Sequence, residues 1–163
     1  MSKEIERKFI VDKEKWNSLE KPAGLHYTQG YLCVDAEKSI RIRITDSKSF
    51  ITIKGKLKKA TREEYEYDIP VEDAKQMIEN LSIGSIFKIR FTINVEKKLW
   101  VVDEFLGKNE DLLLAEIELK NVDEQFTLPE WVGKEVTDDD RYYNANLVSN
   151  PYENWKHEEE NSV

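Results

Sequence analysis

Charged and apolar residues alternate along several short segments of the chain. In Glu4-Ile5-Glu6-Arg7-Lys8-Phe9, two acids and an ammonium group fall on one face of an extended strand, and Ile5, Arg7 and Phe9 fall on the other. The same alternation returns in residues 40–44, 62–67, 88–91 and 116–119. A period of two is typical of β-strands, so at least five strands carry paired charges on one face.

The rest of the pattern predicts three helices and further strands. An apolar stripe predicts a helix over residues 71–81, and a shorter helix is predicted over residues 13–20. Thr137 or Asp138 is the expected cap of a last helix over residues 139–148. Strands are predicted over residues 4–10, 26–34, 40–45, 50–54, 61–69, 86–95, 99–105 and 112–119.

Eight strands with mostly hairpin-length connections predict a mainly β protein of the α+β class. In it, an antiparallel sheet closes into an eight-stranded barrel whose charged faces point inward, and the few helices cover an apolar outer face. We expect residues 1–149 to form this single domain and residues 150–163 to form a polar, acidic and frayed C-terminal tail.

Composition narrows the classes of function. The 163 residues are 39% hydrophobic and 36% charged, with a net charge of -8. This acidity disfavours general binding to nucleic acids or anionic membranes, because both need a basic surface. No apolar run approaches the ~20 residues of a membrane helix, no signal segment opens the chain, and the single cysteine, Cys33, fits a reducing compartment. We therefore expect a cytoplasmic protein with no nucleic-acid or membrane partner.

A barrel interior with many charges needs a physical explanation. The expected inward cations are Lys8, Arg41, Arg43, Lys54, Arg62, Lys88 and Arg90, and the expected inward acids are Glu4, Glu6, Glu64, Glu66, Glu116 and Glu118. Buried charges are unfavourable unless they pair with one another or bind a ligand, and the number of charges here favours a ligand. Arginine and lysine suit phosphate, and paired carboxylates suit a hard divalent cation. The pattern thus predicts a site for a metal–polyphosphate complex.

An ordered series of segments resembles the CYTH superfamily, whose members are also called triphosphate tunnel metalloenzymes. Glu4-Ile5-Glu6-Arg7-Lys8 resembles its ExExK signature. The series runs from residue 4 to about residue 147 and continues with Gln29-Gly30-Tyr31-Leu32, Arg41-Ile42-Arg43, Thr52-Ile53-Lys54-Gly55, Arg62-Glu63-Glu64-Tyr65-Glu66, Lys88-Ile89-Arg90, Val102-Asp103-Glu104-Phe105, Ala115-Glu116-Ile117-Glu118, Lys134-Glu135-Val136-Thr137 and Arg141-Tyr142-Tyr143-Asn144. The resemblance implies an eight-stranded antiparallel tunnel that binds triphosphate and divalent metal.

The resemblance also implies roles for individual residues. The implied metal ligands are Glu4, Glu6, Asp103, Glu116 and Glu118. The implied phosphate-binding residues are Lys8, Arg41, Arg43, Lys54, Lys88 and Arg90, and Arg62, Glu64 and Glu66 complete the tunnel wall. Tyr31 and Lys88 are the implied catalytic pair that orients the attacking water. Arg7 points away from this site and is expected to be a surface residue.

Three functions are compatible with these residues. The first is hydrolysis of inorganic triphosphate to pyrophosphate and phosphate with Mg²⁺ or Mn²⁺, as in the small bacterial members that the chain resembles. The second is a class IV adenylate cyclase, or a nucleoside or thiamine triphosphatase, on the same tunnel. The third is a non-catalytic polyphosphate-binding module, which ranks last because every acid position of the signature is filled. The expected partner is a small molecule that contains triphosphate, and a homodimer is left open.

Overall fold

The computed structural model describes residues 2–160 and consists mainly of strands. The strands are β1 (Ser2–Val11), β2 (Leu25–Val34), β3 (Lys38–Thr45), β4 (Lys48–Gly55), β5 (Thr61–Asp68), β6 (Gly84–Val95), β7 (Lys98–Phe105), β8 (Leu113–Glu118) and β9 (Val132–Glu135). The helices are α1 (Lys13–Ser18), α2 (Val71–Leu81), α3 (Asn144–Ser149) and α4 (Lys156–Glu160). Within residues 2–160, the helices are too short or too polar to cross a membrane.

Eight of the strands form a closed antiparallel barrel, as the alternation predicts. Their order is β5-β4-β3-β2-β6-β7-β8-β1, and pairing of β1 with β5 closes the ring. At the closure Glu4 lies opposite Arg62, and on the other side of β1 Lys8 lies opposite Glu116. The short strand β9 adds to β1 outside the ring. It is absent from the prediction because four residues are too few to display a period.

One hydrophobic core lies outside the barrel. Phe9 on β1 and Trp100 on β7 turn away from the barrel axis, and their rings lie 5.7 Å apart. Trp131 packs edge-on against Trp100 at 5.8 Å and against Trp16 of α1 at 5.3 Å. These fully buried aromatic side chains anchor α1 and the loop before β9 on the outer face of the sheet. The interior of the barrel is therefore free to hold polar side chains.

A second core fills one end of the barrel. There the inward side chains Ile86, Phe105 and Leu114 pack against Tyr142 and Leu147 of the C-terminal part of the chain. We call residues 142–147 the plug. The plug shows that the predicted single helix over residues 139–148 is wrong. A 3₁₀ turn (Asp140–Tyr142) and α3 are separated by Tyr143, whose backbone is extended, and the side chain of Asp139 accepts the N-terminal hydrogen bond from Arg141.

The segment that follows the plug holds it in place. Trp155 is only 4% exposed, and its ring packs edge-on against Tyr142 at a centroid distance of 5.0 Å. The guanidinium of Arg141 lies 4.7 Å from the centroid of the same tryptophan ring. A fully frayed tail from Asn150 onward is thus not what the structure shows, because Pro151 and Trp155 are buried. The domain limit at residue 149 stays a prediction.

Helix α2 packs on the outer faces of β2, β3 and β4, and the last two of these strands carry the inward cations Arg41, Arg43 and Lys54. Its contact with β2 is close at Gly30, where a Cβ atom would lie 2.8 Å from Cγ1 of Ile78. Gly30 therefore allows the helix to approach the sheet.

We expect Gly30→Ala to lower the free energy of unfolding by about 1–3 kcal/mol, because α2 must move away from β2. Gly55→Ala is the matched control, since a Cβ there would meet its nearest atom, Cβ of Glu63, at an ordinary 3.6 Å. Urea unfolding of both variants measures the difference. Equal stability of the two variants would contradict the close packing of α2.

Candidate active site

A cavity of about 340 Å³ occupies the barrel interior. The register of the strands turns every second side chain into it, and exposed Glu66, Leu99 and Glu118 mark the side on which it meets solvent. The residues predicted for the site that line the cavity are Glu4, Glu6, Lys8, Tyr31, Arg41, Arg43, Lys54, Arg62, Glu64, Glu66, Lys88, Arg90, Glu116 and Glu118. The structure thus brings together every residue of the prediction except Asp103.

Glu4 lies in an ion-pair network on the acidic side of the cavity, where β1, β5 and β8 meet. Its carboxylate oxygens accept hydrogen bonds from Nζ of Lys54 at 2.9 Å and from Nε of Arg62 at 3.1 Å. Burial alone would raise the pKa of Glu4, but Lys54, a hydrogen bond from Glu6 and Arg62 together hold it well below its usual range. Glu4 is therefore ionised, and its charge is already balanced by the protein.

Glu6 is the acid of the cavity whose charge is least balanced. Burial, and then the nearby carboxylates Glu116 and Glu4, raise the pKa of Glu6 to about 8, against the opposing effect of Lys54 and Lys8. In Glu116, burial also favours the neutral form, but Lys8, Arg90 and Lys88 hold its pKa below the usual range. Nζ of Lys8 lies 3.2 Å from Oε1 of Glu116. Of the two nearby acids Glu6 and Glu116, Glu6 is thus the one whose protonated form is favoured, and a bound cation would take the place of that proton.

These acids fit a divalent metal only in part. Within the described residues 2–160, no three acidic, histidine or cysteine side chains lie close enough together to enclose an ion by themselves. Mg²⁺ commonly takes one or two protein carboxylates and completes its coordination with substrate phosphates and water. The hard oxygen donors of Glu6 and Glu116, which lie close enough together to raise the pKa of Glu6, fit that mode of binding.

Cations crowd the opposite side of the cavity, on β3 and β6. The guanidinium groups of Arg43 and Arg90 lie 5.0 and 4.9 Å from the ring centroid of Tyr27. Burial, with Arg41 and Arg90 close by, lowers the pKa of Arg43 to about 9. Arginine is not deprotonated in proteins, so this direction reports an excess of positive charge. Nε of Arg41 is buried and has no hydrogen-bond partner among residues 2–160. Such a cluster is a site for an anion.

Asp103, predicted as a metal ligand, is not among the residues that line the cavity and is only 1% exposed. Its two oxygens accept a bidentate pair of hydrogen bonds from Arg90, both at 2.8 Å, and a further one from Nζ of Lys88 at 2.8 Å. Because both oxygens already hold cations, the structure favours an orienting role for Asp103. Burial, together with Arg90 and Arg43, lowers the pKa of Lys88 well below its usual value despite Asp103.

Several residues of the site are missing from the prediction. Tyr143 and Asn144 of the plug line the cavity, and Nζ of Lys8 lies 5.2 Å from the ring centroid of Tyr143. Fully buried Gln29 hydrogen-bonds to Arg43 at 3.0 Å. Its position two residues before Tyr31 is the signal that could have placed it inward. For the plug, the only signal in the sequence was the family resemblance of Arg141-Tyr142-Tyr143-Asn144, which implied no role for these residues.

Tyr31 and Arg7 lie on opposite sides of the barrel wall. Tyr31 lines the cavity and also packs in the second core, next to the plug, and its catalytic role stays a prediction. Arg7 lies outside, where its Nε donates to Glu135 at 2.8 Å and its guanidinium covers the ring of Phe126 at 5.0 Å.

Known proteins are similar to this chain in sequence and in fold. A family model described as the CYTH domain matches residues 2–146. An inorganic triphosphatase from Acetivibrio thermocellus is 47% identical over 157 residues, which cover 96% of this chain and 99% of that protein. An inorganic triphosphatase from Nitrosomonas europaea is 31% identical over 149 residues, covering 89% and 96%. A crystal structure of an inorganic triphosphatase superposes with a TM-score of 0.63 at 30% identity, covering 91% of this chain and 95% of that one.

Proposed function

The chain belongs to the CYTH domain family, and from this we propose that it is a metal-dependent triphosphatase that hydrolyses inorganic triphosphate to pyrophosphate and phosphate. The observation that carries the proposal is the division of one cavity into two sides. The cations on β3 and β6 lack enough anions to balance them, and on β1 the buried Glu6, whose pKa is raised, lies close to Glu116 of β8. A triphosphate with a bound divalent cation supplies both missing charges.

In this mechanism the chain mainly positions charge, as phosphoryl transfer requires. Arg41, Arg43 and Arg90 bind the phosphate oxygens and hold the triphosphate against β3 and β6. Water attacks a terminal phosphorus, a new P–O bond forms, the bridging P–O bond breaks, and pyrophosphate leaves with the electron pair. The proton that the water loses goes to an oxygen of the phosphate products. Lys88, held by Asp103, stabilises the negative charge that develops on the transferred group and, with Tyr31, orients the water.

Glu6 and Glu116 are the residues that we propose for the metal, Mg²⁺ or Mn²⁺, together with phosphate oxygens. When bound there, the ion neutralises charge on the phosphates and lowers the barrier to attack by water. Glu4 and Glu118, which the family resemblance also implies as ligands, stay predictions. So do Arg62, Glu64 and Glu66 as parts of the wall that positions ions and water.

The side chains of the cavity favour an inorganic substrate over a nucleotide. A nucleotide enzyme usually offers an apolar or stacking pocket to the base. Here charged groups dominate the lining, and the aromatic ring of Tyr27 lies close to two guanidinium groups. The aromatic residues Phe9 and Phe91 pack in the core outside the barrel. Because charged side chains outnumber the apolar and aromatic ones in the lining, the cyclase and nucleotidase hypotheses rank second.

A phosphate-release screen tests the proposal. We expect kcat/KM for inorganic triphosphate to exceed the values for ATP, thiamine triphosphate and longer polyphosphates, with Mg²⁺ or Mn²⁺ present. EDTA should stop the reaction, and cyclic AMP should not accumulate from ATP and Mn²⁺. A higher kcat/KM for ATP would favour a nucleoside triphosphatase, and cyclic AMP as the main product would favour an adenylate cyclase. Binding of triphosphate without turnover of any substrate would favour a non-catalytic module.

Three further properties stay predictions of this proposal. They are a cytoplasmic location, the lack of a nucleic-acid partner and the assembly state, for which a homodimer is left open. The net charge of -8 supports the second of them, because nucleic-acid binding needs a basic surface.

A further inference from the structure

A chain of hydrogen bonds runs from β3 through the plug to β6 at the filled end of the cavity. Nε of Arg43 donates to Oε1 of Gln29 at 3.0 Å, and Nε2 of Gln29 donates to Oδ1 of Asn144 at 3.3 Å. The same Oδ1 accepts from Nζ of Lys88 at 2.8 Å. Two cations that line the cavity are thus connected through two neutral amides, one of which belongs to the plug.

The cations at the two ends fix the orientation of both amides. An ammonium or guanidinium group donates hydrogen bonds and accepts none, so each must face an amide oxygen. Arg43 therefore requires Oε1 of Gln29, and Lys88 in its ammonium form requires Oδ1 of Asn144. The amide nitrogen of Gln29 is then turned toward Oδ1 of Asn144, as observed. An exchange of oxygen and nitrogen in either amide would set donors against donors.

This orientation leaves one polar group of Asn144 uncommitted. Oδ1 holds two donors, whereas Nδ2 donates to none of residues 2–160. Asn144 is only partly buried and is a lining residue of the cavity. Its two N–H bonds are therefore available to a ligand between the two sides of the barrel. A neutral donor is suited to this place, because it adds a phosphate contact without adding charge to a region that already has excess positive charge.

We propose that Asn144 is a substrate-binding residue whose Nδ2 donates to a phosphate oxygen of the triphosphate, and a positioning residue that holds Lys88 through Oδ1. The inference rests on the proposed function, since it names a contact within the same site. It gives the plug a part in binding as well as in closing the barrel. The ligand class is any linear anhydride of phosphate whose end reaches the plug.

Two substitutions separate the two roles. Asn144→Asp keeps an oxygen for Lys88 and Gln29 but replaces the N–H donors by a second oxygen, which repels phosphate. Asn144→Ala removes both roles without adding charge. We expect KM for triphosphate to rise about tenfold in Asn144→Ala, since one hydrogen bond to a charged group is lost, and to rise further in Asn144→Asp. In Asn144→Ala kcat should also fall, while Asn144→Asp should retain more of it, because only the latter still holds Lys88.

The matched control is Asn146, two residues further along α3. Its Nδ2 donates to the backbone oxygen of Asp140 at 2.7 Å, and Asn146 is not among the residues that line the cavity. Asn146→Asp and Asn146→Ala disturb the same short helix and should leave KM unchanged. Equal KM increases for both asparagines would show that loosening of the plug, and not a phosphate contact, causes the effect, and would overturn the proposal.

Calorimetric titration of each protein with triphosphate in EDTA gives a readout that does not depend on turnover. We expect the dissociation constant to increase from wild type to Asn144→Ala and again to Asn144→Asp, and we expect the Asn146 variants to have the wild-type value. If wild type hydrolyses triphosphate and Asn144→Asp binds it as tightly as wild type does, the inference fails and the proposed function stands. If the dissociation constants follow this order but wild type hydrolyses no triphosphate, the contact stands and the proposed function fails.

Discussion

Glu6→Gln should lower kcat/KM for triphosphate by roughly 10²–10³-fold, a loss typical of removing one group that stabilises charge in a transition state. Glutamine has the shape of a protonated glutamate, the form that burial and the nearby acids favour at Glu6, but it cannot become the anionic ligand of a divalent cation. The same substitution should leave the metal-free protein at least as stable as wild type at pH 7. Hydrolysis rates with saturating Mg²⁺, together with urea unfolding in EDTA, measure both effects.

The stability difference should depend on pH in a defined direction. Glu6 has its pKa raised to about 8 in the folded protein from its usual 4.5. Between these two values the folded chain holds a proton that the unfolded chain releases, so the contribution of Glu6 to stability falls as pH rises through this window. Wild type should therefore match Glu6→Gln below about pH 4.5 and become progressively less stable than the variant toward pH 8.

Glu63→Gln is the control for Glu6→Gln, because Glu63 lies on the outer, exposed side of β5. It should change neither the rate nor the pH dependence. A Glu6→Gln variant that keeps full activity would remove Glu6 from the metal site. A variant that is much less stable than wild type at pH 7 would show that Glu6 is ionised in the metal-free protein.

Arg41→Ala should raise KM for triphosphate by roughly 10- to 100-fold, the range expected from the loss of a hydrogen bond to a charged group. Arg41 is buried, its Nε has no partner within residues 2–160, and it lies beside Arg43 in the cluster with excess positive charge. A phosphate oxygen is the acceptor that this arrangement lacks. Steady-state kinetics and calorimetric binding of triphosphate measure the loss.

Arg7→Ala provides the comparison, because Arg7 lies on the same barrel but on its outer face, paired with Glu135. It removes the same charge from the protein as Arg41→Ala does. We expect KM to stay unchanged in this variant, whatever its effect on stability. Similar losses in both variants would mean that the overall positive charge, and not the inward side of the barrel, binds the substrate.

The local pattern of the sequence is sufficient to predict the barrel and the direction of its charges. Glu4, Glu6 and Lys8 alternate with apolar or outward residues, and in a closed sheet this alternation has only two faces to occupy. Helix α2 has the predicted bounds Val71–Leu81 because its apolar stripe is complete. Both results depend on residues that are neighbours in the sequence.

Contacts between distant segments are what the sequence alone could not supply. Asp103 is of a residue type that binds metals, but the pairing of β6 with β7 places it opposite Arg90. That pairing cannot be read from residues that are neighbours in the sequence. Asn144 forms hydrogen bonds with Lys88 and Gln29, which are distant in the sequence. It lies just after the extended Tyr143, a break in the predicted helix that the acidic residues before it did not indicate. The burial of Trp155 likewise depends on its contact with Tyr142. The polar composition of residues 150–163 does not indicate this contact.

The position of β1 between β5 and β8 also has a consequence for biosynthesis. Strand β1, the first strand of the ring in sequence order, completes its pairing only when β8, the last strand of the ring, has been made, and such non-local pairing makes folding slow. Until then β1 has unpaired edges, which in nascent chains are sites of aggregation. Glu4, Glu6 and Lys8 place charges on this waiting strand, and charges on an edge discourage association with other chains. We therefore expect the charges of β1 that line the finished cavity to protect the chain from association before the barrel exists.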